Sequence, residues 1–189
     1  MSDDSELYFL EHENRPTRTE LESNSSPYLL SEWHLPIVWV ALFQPWDARI
    51  DATSIRDRDR AYFAAKRYDA ITNLEKRRPW IRTAAPGLDE VWLDSFTEFL
   101  MACELSWVHV QPPPLFEEGS APSINDLRQL LAIFDIPQSS LDATTKDVAD
   151  DQDLYRTCFA SQFNSTEVDI KLFSLGASGT DNLMKWETQ

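Results

Sequence analysis

Glycine is scarce in this chain: four residues in 189, at Gly87, Gly119, Gly176 and Gly179. That leaves no glycine-rich loop of the kind that wraps a phosphate or admits a dinucleotide's pyrophosphate to a helix end, and Gly176-Ala177-Ser178-Gly179 is too short to be one. Histidine and cysteine are scarcer still. His12, His34 and His109 lie far apart, Cys103 and Cys158 are separated by 55 positions, and none of these residues has zinc-ligand spacing. Both cysteines fall on apolar helical faces and are expected as buried free thiols. No apolar run approaches the roughly 18 residues of a membrane span. The acidic start, Met1-Ser2-Asp3-Asp4, is the reverse of a signal peptide's basic one. The expectation is a cytoplasmic protein with no cofactor, no bound metal and no membrane contact.

Catalytic signatures are missing as well. There is no Gly-x-Ser-x-Gly elbow and no local pairing of serine with histidine. Glu11-His12-Glu13 reads as a solvated polar loop rather than a metal site. Asp147, Asp150, Asp151 and Asp153 lack the turn glycine of a calcium loop. A pair of carboxylates in a cleft is the one enzymatic reading left open, because 32 acids make some suitable pair inevitable. No catalytic residue is nominated.

What the chain does have is aromatic mass and negative charge. Ten Phe, seven Trp and five Tyr with 42% apolar residues suffice for one sizeable core, and exclude a disordered acidic tail. The net charge is −15, unevenly distributed. Residues 36–86 carry 6 acids and 10 bases, whereas residues 87–118 carry 7 acids and no Lys or Arg. Such imbalance bears on association and solubility rather than fold, and it argues against nucleic acid or an anionic membrane as the main partner.

Hydrophobic spacing outlines the elements. Leu7-Tyr8-Phe9-Leu10 suits a buried strand, and residues 13–27 read as a polar loop. Leu35, Val38, Trp39, Leu42, Phe43 and Trp46 fall on one helical face. A long helix is expected from about Ala52 to Lys76, stopping before Pro79, and a second from Leu88 to Cys103 with Leu88, Trp92, Phe96, Phe99, Leu100 and Cys103 as its buried stripe. A strand over residues 105–111 ends at Pro112. Ser123-Ile124-Asn125-Asp126 opens a helix carrying Leu127, Leu131 and Phe134. A further helix near residues 145–163 and a strand over 168–172 complete the order. This is an α+β pattern: a small mixed sheet packed by several helices, one domain over residues 1–189, with a flexible C-terminal tail from 176 to 189.

The acid-only stretch is the candidate site. Asp89 and Glu90 suit a helix N-terminus, where the macrodipole favours negative charge. Asp94 and Glu98 follow Glu90 at four-residue steps on the exposed face, where like charges destabilise a helix. Glu104, Glu117 and Glu118 extend the block. Two readings follow: the acids are solvated or pair internally with the arginine-rich residues 56–78, or they form a surface that meets a basic partner, with Trp92 or Trp107 as anchors. Arg56-Asp57-Arg58-Asp59-Arg60 alternates in sign and reads as a solvated helix face. Lys76-Arg77-Arg78 with Trp80 is a denser cluster able to touch phosphates.

Leu7-Tyr8-Phe9-Leu10, Leu30-Ser31-Glu32-Trp33 and Leu35-Pro36-Ile37-Val38-Trp39 together resemble the opening of a group of small uncharacterised bacterial proteins that includes candidate toxin-immunity proteins. The resemblance covers about residues 6–45 and carries over no functional residue. It implies a small cytosolic α+β protein with an acidic surface, as an antidote has. The expected function is therefore an acidic protein that neutralises a basic protein partner, a toxin or a nucleic-acid-binding protein, through Glu90, Asp94, Glu98, Glu104, Glu117 and Glu118. A phage-encoded inhibitor that mimics nucleic-acid charge is the alternative, and an enzyme the second.

Overall fold

Leu7 and Phe9 alternate with Glu6, Tyr8 and Leu10, and that alternation sets the centre of the sheet. In the computed structural model, strand β1 (Asp4–Leu10) pairs antiparallel with β5 (Trp107–Gln111), placing Leu7 opposite Val110, Phe9 opposite Val108 and Tyr8 opposite His109. The structure describes residues 4–17, 19–20, 27–32, 35–51, 61–85, 87–112, 124–135, 174–180 and 182–188. The expected helix over 145–163, the strand over 168–172 and Cys158 lie outside them. Strands β2 (Leu29–Glu32), β3 (Ala48–Ile50), β4 (Ala61–Lys66) and β6 (Ala177–Ser178) complete a sheet in the order β3-β4-β5-β1-β2-β6. The fold class is α+β as expected, with every described strand pair antiparallel rather than mixed.

Leu7, Phe9, Leu29, Phe63, Ala65, Val108 and Val110 leave one face of the sheet and are buried in the core cluster. The helices contribute Leu74, Ile81, Leu93, Phe96 and Leu100 to the same cluster. Helix α1 (Ile37–Val40) is a single turn, not the amphipathic helix that the spacing predicts. Leu35 and all residues from Ile37 to Phe43 are fully buried, so the segment has no solvent face, and Trp46, expected on its apolar side, is 67% exposed. A 3-10 turn over Pro45–Asp47 follows, where Asp47 accepts from the Gln44 backbone N–H at 2.8 Å.

The predicted helix from Ala52 to Lys76 is corrected at both ends. Residues 52–60 lie outside the described residues, and Ala61–Lys66 is β4. Helix α2 (Arg67–Ala84) starts where β4 ends and continues through Pro79. Proline inside a helix forfeits one backbone hydrogen bond and costs about 3 kcal/mol. Buried side chains on both sides hold the helix together across it: Asn73, Leu74 and Arg77 before, Trp80 and Ile81 after. Helix α3 (Glu90–Ala102) is N-capped by Asp89, whose carboxylate accepts from the Glu90 backbone N–H at 2.9 Å. Helix α4 (Ile124–Leu131) runs on into a 3-10 turn over Ala132–Asp135 and packs against β3 and the Pro45–Asp47 turn.

The segment read as a flexible tail is docked. Trp186 is 1% exposed, lies among Phe96 and Phe99 at 5.9 and 6.2 Å between ring centroids, and donates its Nε1–H to the Gly176 carbonyl at 2.8 Å. Cys103 is a buried free thiol whose pKa burial pushes up.

Candidate partner-binding face

The chemistry of the candidate face starts on α2, whose polar side chains satisfy groups on other elements. Arg67 is 8% exposed and donates to the carbonyls of Leu100, Met101 and Leu105 at 3.0 to 3.2 Å. It thereby closes the C-terminal end of α3, where orphan carbonyls carry partial negative charge. Asn73 donates to Leu42 O at 3.0 Å and accepts from Gln44 Nε2 at 2.8 Å. Arg77 donates to Ala41 O at 3.0 Å, Phe43 O at 2.5 Å and Gln44 Oε1 at 3.0 Å, with its guanidinium 4.5 Å from the Phe134 ring centroid. Burial pulls Arg77 down to about 10, and the charges of Asp135 and Asp47 oppose that fall. Two arginines of this helix are thus internal fasteners.

Arg78 faces α3. Its Nη1 donates to Glu90 Oε2 at 2.8 Å and Asp94 Oδ1 at 2.7 Å, and its Nη2 to Glu75 Oε1 at 2.8 Å and Thr97 Oγ1 at 3.0 Å. The side chain is only 12% exposed. Arg82 pairs with the other oxygen of Glu90. Lys185, from the docked C-terminal segment, meets Glu98 at 2.5 Å. Three of the sequence-predicted site residues, Glu90, Asp94 and Glu98, are therefore paired within the chain, which is the internal-pairing reading for these positions. Glu104 is exposed and forms no ion pair among the described residues, and Glu117 and Glu118 lie outside them. The same arrangement takes apart the cluster Lys76-Arg77-Arg78 with Trp80: Arg77 and Trp80 are buried, Arg78 is neutralised, and Lys76 alone is exposed.

The pairs do not cancel the charge of the face. Glu75, Asp89, Glu90, Asp94, Glu98 and Glu104 are six carboxylates met by three cations, Arg78, Arg82 and Lys185. Along α3 the solvent-facing stripe is Val91, Asp94, Ser95, Glu98, Met101 and Ala102, at steps of three and four residues. Val91 is 52% and Met101 61% exposed, so two apolar side chains bracket two carboxylates. The buried side of the helix is Leu93, Phe96 and Leu100. Trp92 and Phe99, expected in that stripe, are half-buried, and Trp107, the other proposed anchor, is half-buried too.

Arg82, Lys185, Val91 and Met101 belong to this face and have no signal in the sequence, whereas Arg78 is expected there only as one of the arginine-rich residues 56–78. The arginine-rich segment had been offered as an internal partner for the acids, but Lys185 lies 87 residues from Glu98 and no local pattern joins them. Charge reversal separates the acids by role. Glu90→Lys sets a cation against Arg78 and Arg82 and is expected to cost about 1–2 kcal/mol in denaturant unfolding, after allowance for solvent screening. Glu98→Lys, between exposed groups, is expected to cost less than about 0.5 kcal/mol. Equal costs would mean that Arg78 does not depend on Glu90.

Among the described residues no group of three or more His, Cys, Asp or Glu is placed to hold a metal ion, and no helix is long and apolar enough to cross a membrane. No family model, curated protein or solved structure matches the chain.

Proposed function

We propose that this protein binds and neutralises a basic protein partner in the cytoplasm, as an antidote does its toxin, and that the solvent stripe of α3 is the docking face. The observation that carries the reading is the composition of that stripe. It holds Asp94 and Glu98 between exposed Val91 and Met101, contains no base, and sits in a patch where carboxylates outnumber cations. Carboxylates around exposed apolar side chains are what a basic partner needs: the charge speeds encounter and selects the partner, and the apolar atoms supply contact area. Neutralisation by covering another protein's site requires no reactive group of its own.

The structure also chooses the variant. Glu90 and Asp94 hold Arg78, so reversing them perturbs the fold along with the surface. Glu98→Lys with Glu104→Lys leaves the Arg78 cluster intact. Affinity capture with wild type names the partner, and expression of that partner with either form tests neutralisation. The expected result is that the partner alone arrests growth, wild type restores it, and the double variant, folded and equally abundant, does not. Rescue by both forms would remove the role from this face. A nucleic-acid-handling enzyme as the captured protein would move the reading to the charge-mimicking inhibitor.

A further inference from the structure

The face of the sheet opposite the helices carries a second cluster of titratable groups. His109 is 0% exposed and lies between two tyrosines, with Tyr8 at 5.4 Å and 10° and Tyr62 at 6.2 Å and 14° between rings. Its Nε2 is 2.8 Å from the His12 carbonyl oxygen. A carbonyl oxygen only accepts, so Nε2 carries the hydrogen and Nδ1 the lone pair. That Nδ1 is buried and has no hydrogen-bond partner among the described residues.

The covering element is the strap of residues 11–17. It is tied down by Ser106 Oγ to Glu11 at 3.0 Å, by His109 to His12, by Arg49 to Glu13 at 3.9 Å, and by Arg15 to Asp51 at 3.8 Å. Beyond it, the carboxylate of Glu20 accepts from Thr17 and meets His12 Nε2 at 3.0 Å.

We propose that His109 is a proton-operated latch on this strap: neutral, it holds the strap to the sheet through the His12 carbonyl, and protonated, it opens it. The imidazolium has a second N–H, at Nδ1, that needs an acceptor, and in the closed site no described residue accepts from that position. The groups facing the ring do not supply one. Tyr8 and Tyr62 present ring faces, which accept a cation only weakly. His12 and Arg15 on the strap are bases, and a charged His12 repels a charged His109. The nearby carboxylates are engaged elsewhere: Glu20 with His12, Glu13 with Arg49, Asp51 with Arg15. Glu6, on the same face of β1, acts on Tyr8.

The sign follows from burial, which pulls His109 from its ordinary 6.5 down to about 4 while the strap is closed. With the strap open the ring returns toward 6.5, so the open form binds more protons between these values and gains as pH falls through that window. Amide hydrogen exchange of strap peptides at pH 7 and pH 4.5, corrected for intrinsic rates, tests this in wild type, His12→Gln and His109→Gln. The expected result is a rise in the open population of roughly sixtyfold in wild type and His12→Gln, and under about threefold in His109→Gln, with α2 still protected. A strap that stays protected at pH 4.5, an equal rise in His109→Gln, or loss that coincides with loss of protection in α2 would each overturn the latch. Should His109→Gln fail to fold, imidazole 15N shifts of wild type decide: an imidazolium at His109 beneath a protected strap contradicts the proposal, and one that appears only with strap opening supports it.

Discussion

Arg77→Met is expected to lower the unfolding free energy by about 3–5 kcal/mol, the largest effect of any single change on α2. Methionine keeps the aliphatic stem that crosses Phe134 but removes every donor. The carbonyls of Ala41 and Phe43, which close the end of α1 and its following turn, then lose the Nη1 that serves both. A buried carbonyl without a donor costs about 1–3 kcal/mol, and two are left. Arg77→Lys recovers only part of this, because an ammonium cannot reproduce the planar fork that also reaches Gln44 Oε1. Chemical denaturation of the three proteins measures it. A loss below about 1 kcal/mol would mean that desolvating the guanidinium costs as much as its hydrogen bonds return.

Trp39→Ala is expected to cost about 3–5 kcal/mol as well, with a second, local consequence. The indole is fully buried, its Nε1–H donates to Leu175 O at 2.8 Å, and it packs where a side chain on Gly176 would lie. Gly176 has a φ of 79°, a left-handed conformation that other residues adopt at a cost of roughly 1–2 kcal/mol. Trp39, Gly176 and Trp186 therefore form one fastening for the C-terminal segment. Losing the indole should expose that segment to protease before the rest of the chain, and Gly176→Ala should do the same from the other side. Cleavage spread evenly over the chain in both variants would show that the segment has no separate fastening.

Strands β1 and β5 are buried on both faces, yet both were legible: Leu7 to Leu10 is an apolar run too short for a helix, with polar neighbours on either side, and residues 105–111 alternate around Ser106 and His109. In β4, Ala61, Phe63 and Ala65 face the core while Tyr62 and Ala64 are buried on the other side. Its apolar run has no alternation and, lacking glycine and proline, reads as the start of the helix that follows. Leu35 to Phe43 is misread for a related reason: the run is apolar at every position but Pro36, so a helical spacing can be picked out of it although burial on all sides leaves no amphipathic face. Pro79 was taken as a stop because proline preference is local, whereas the contacts that carry α2 through it are tertiary.

At the candidate site, the steps from Glu90 to Asp94 to Glu98 correctly indicated a surface ladder on one helix. What they could not indicate is that Arg78 lies across the first two rungs and Lys185 across the third. Pairing between elements has no sequence period, so an acid that fastens two helices and an acid that faces a partner look alike until the fold is known. Val91 and Met101 fall outside the buried stripe that the sequence outlines, but nothing in the sequence marks them as part of a surface, because single exposed apolar residues are common on any protein.

The central claim is that the α3 stripe meets a basic partner, and its most direct test is the association rate constant of the captured, purified partner at low and physiological salt, for wild type and for Glu98→Lys with Glu104→Lys. The account predicts that wild type associates at least tenfold faster at low salt than at physiological salt, and that the double variant loses both that acceleration and most of the salt dependence while unfolding at the same denaturant concentration. Equal rates for the two proteins at both salt concentrations would contradict it.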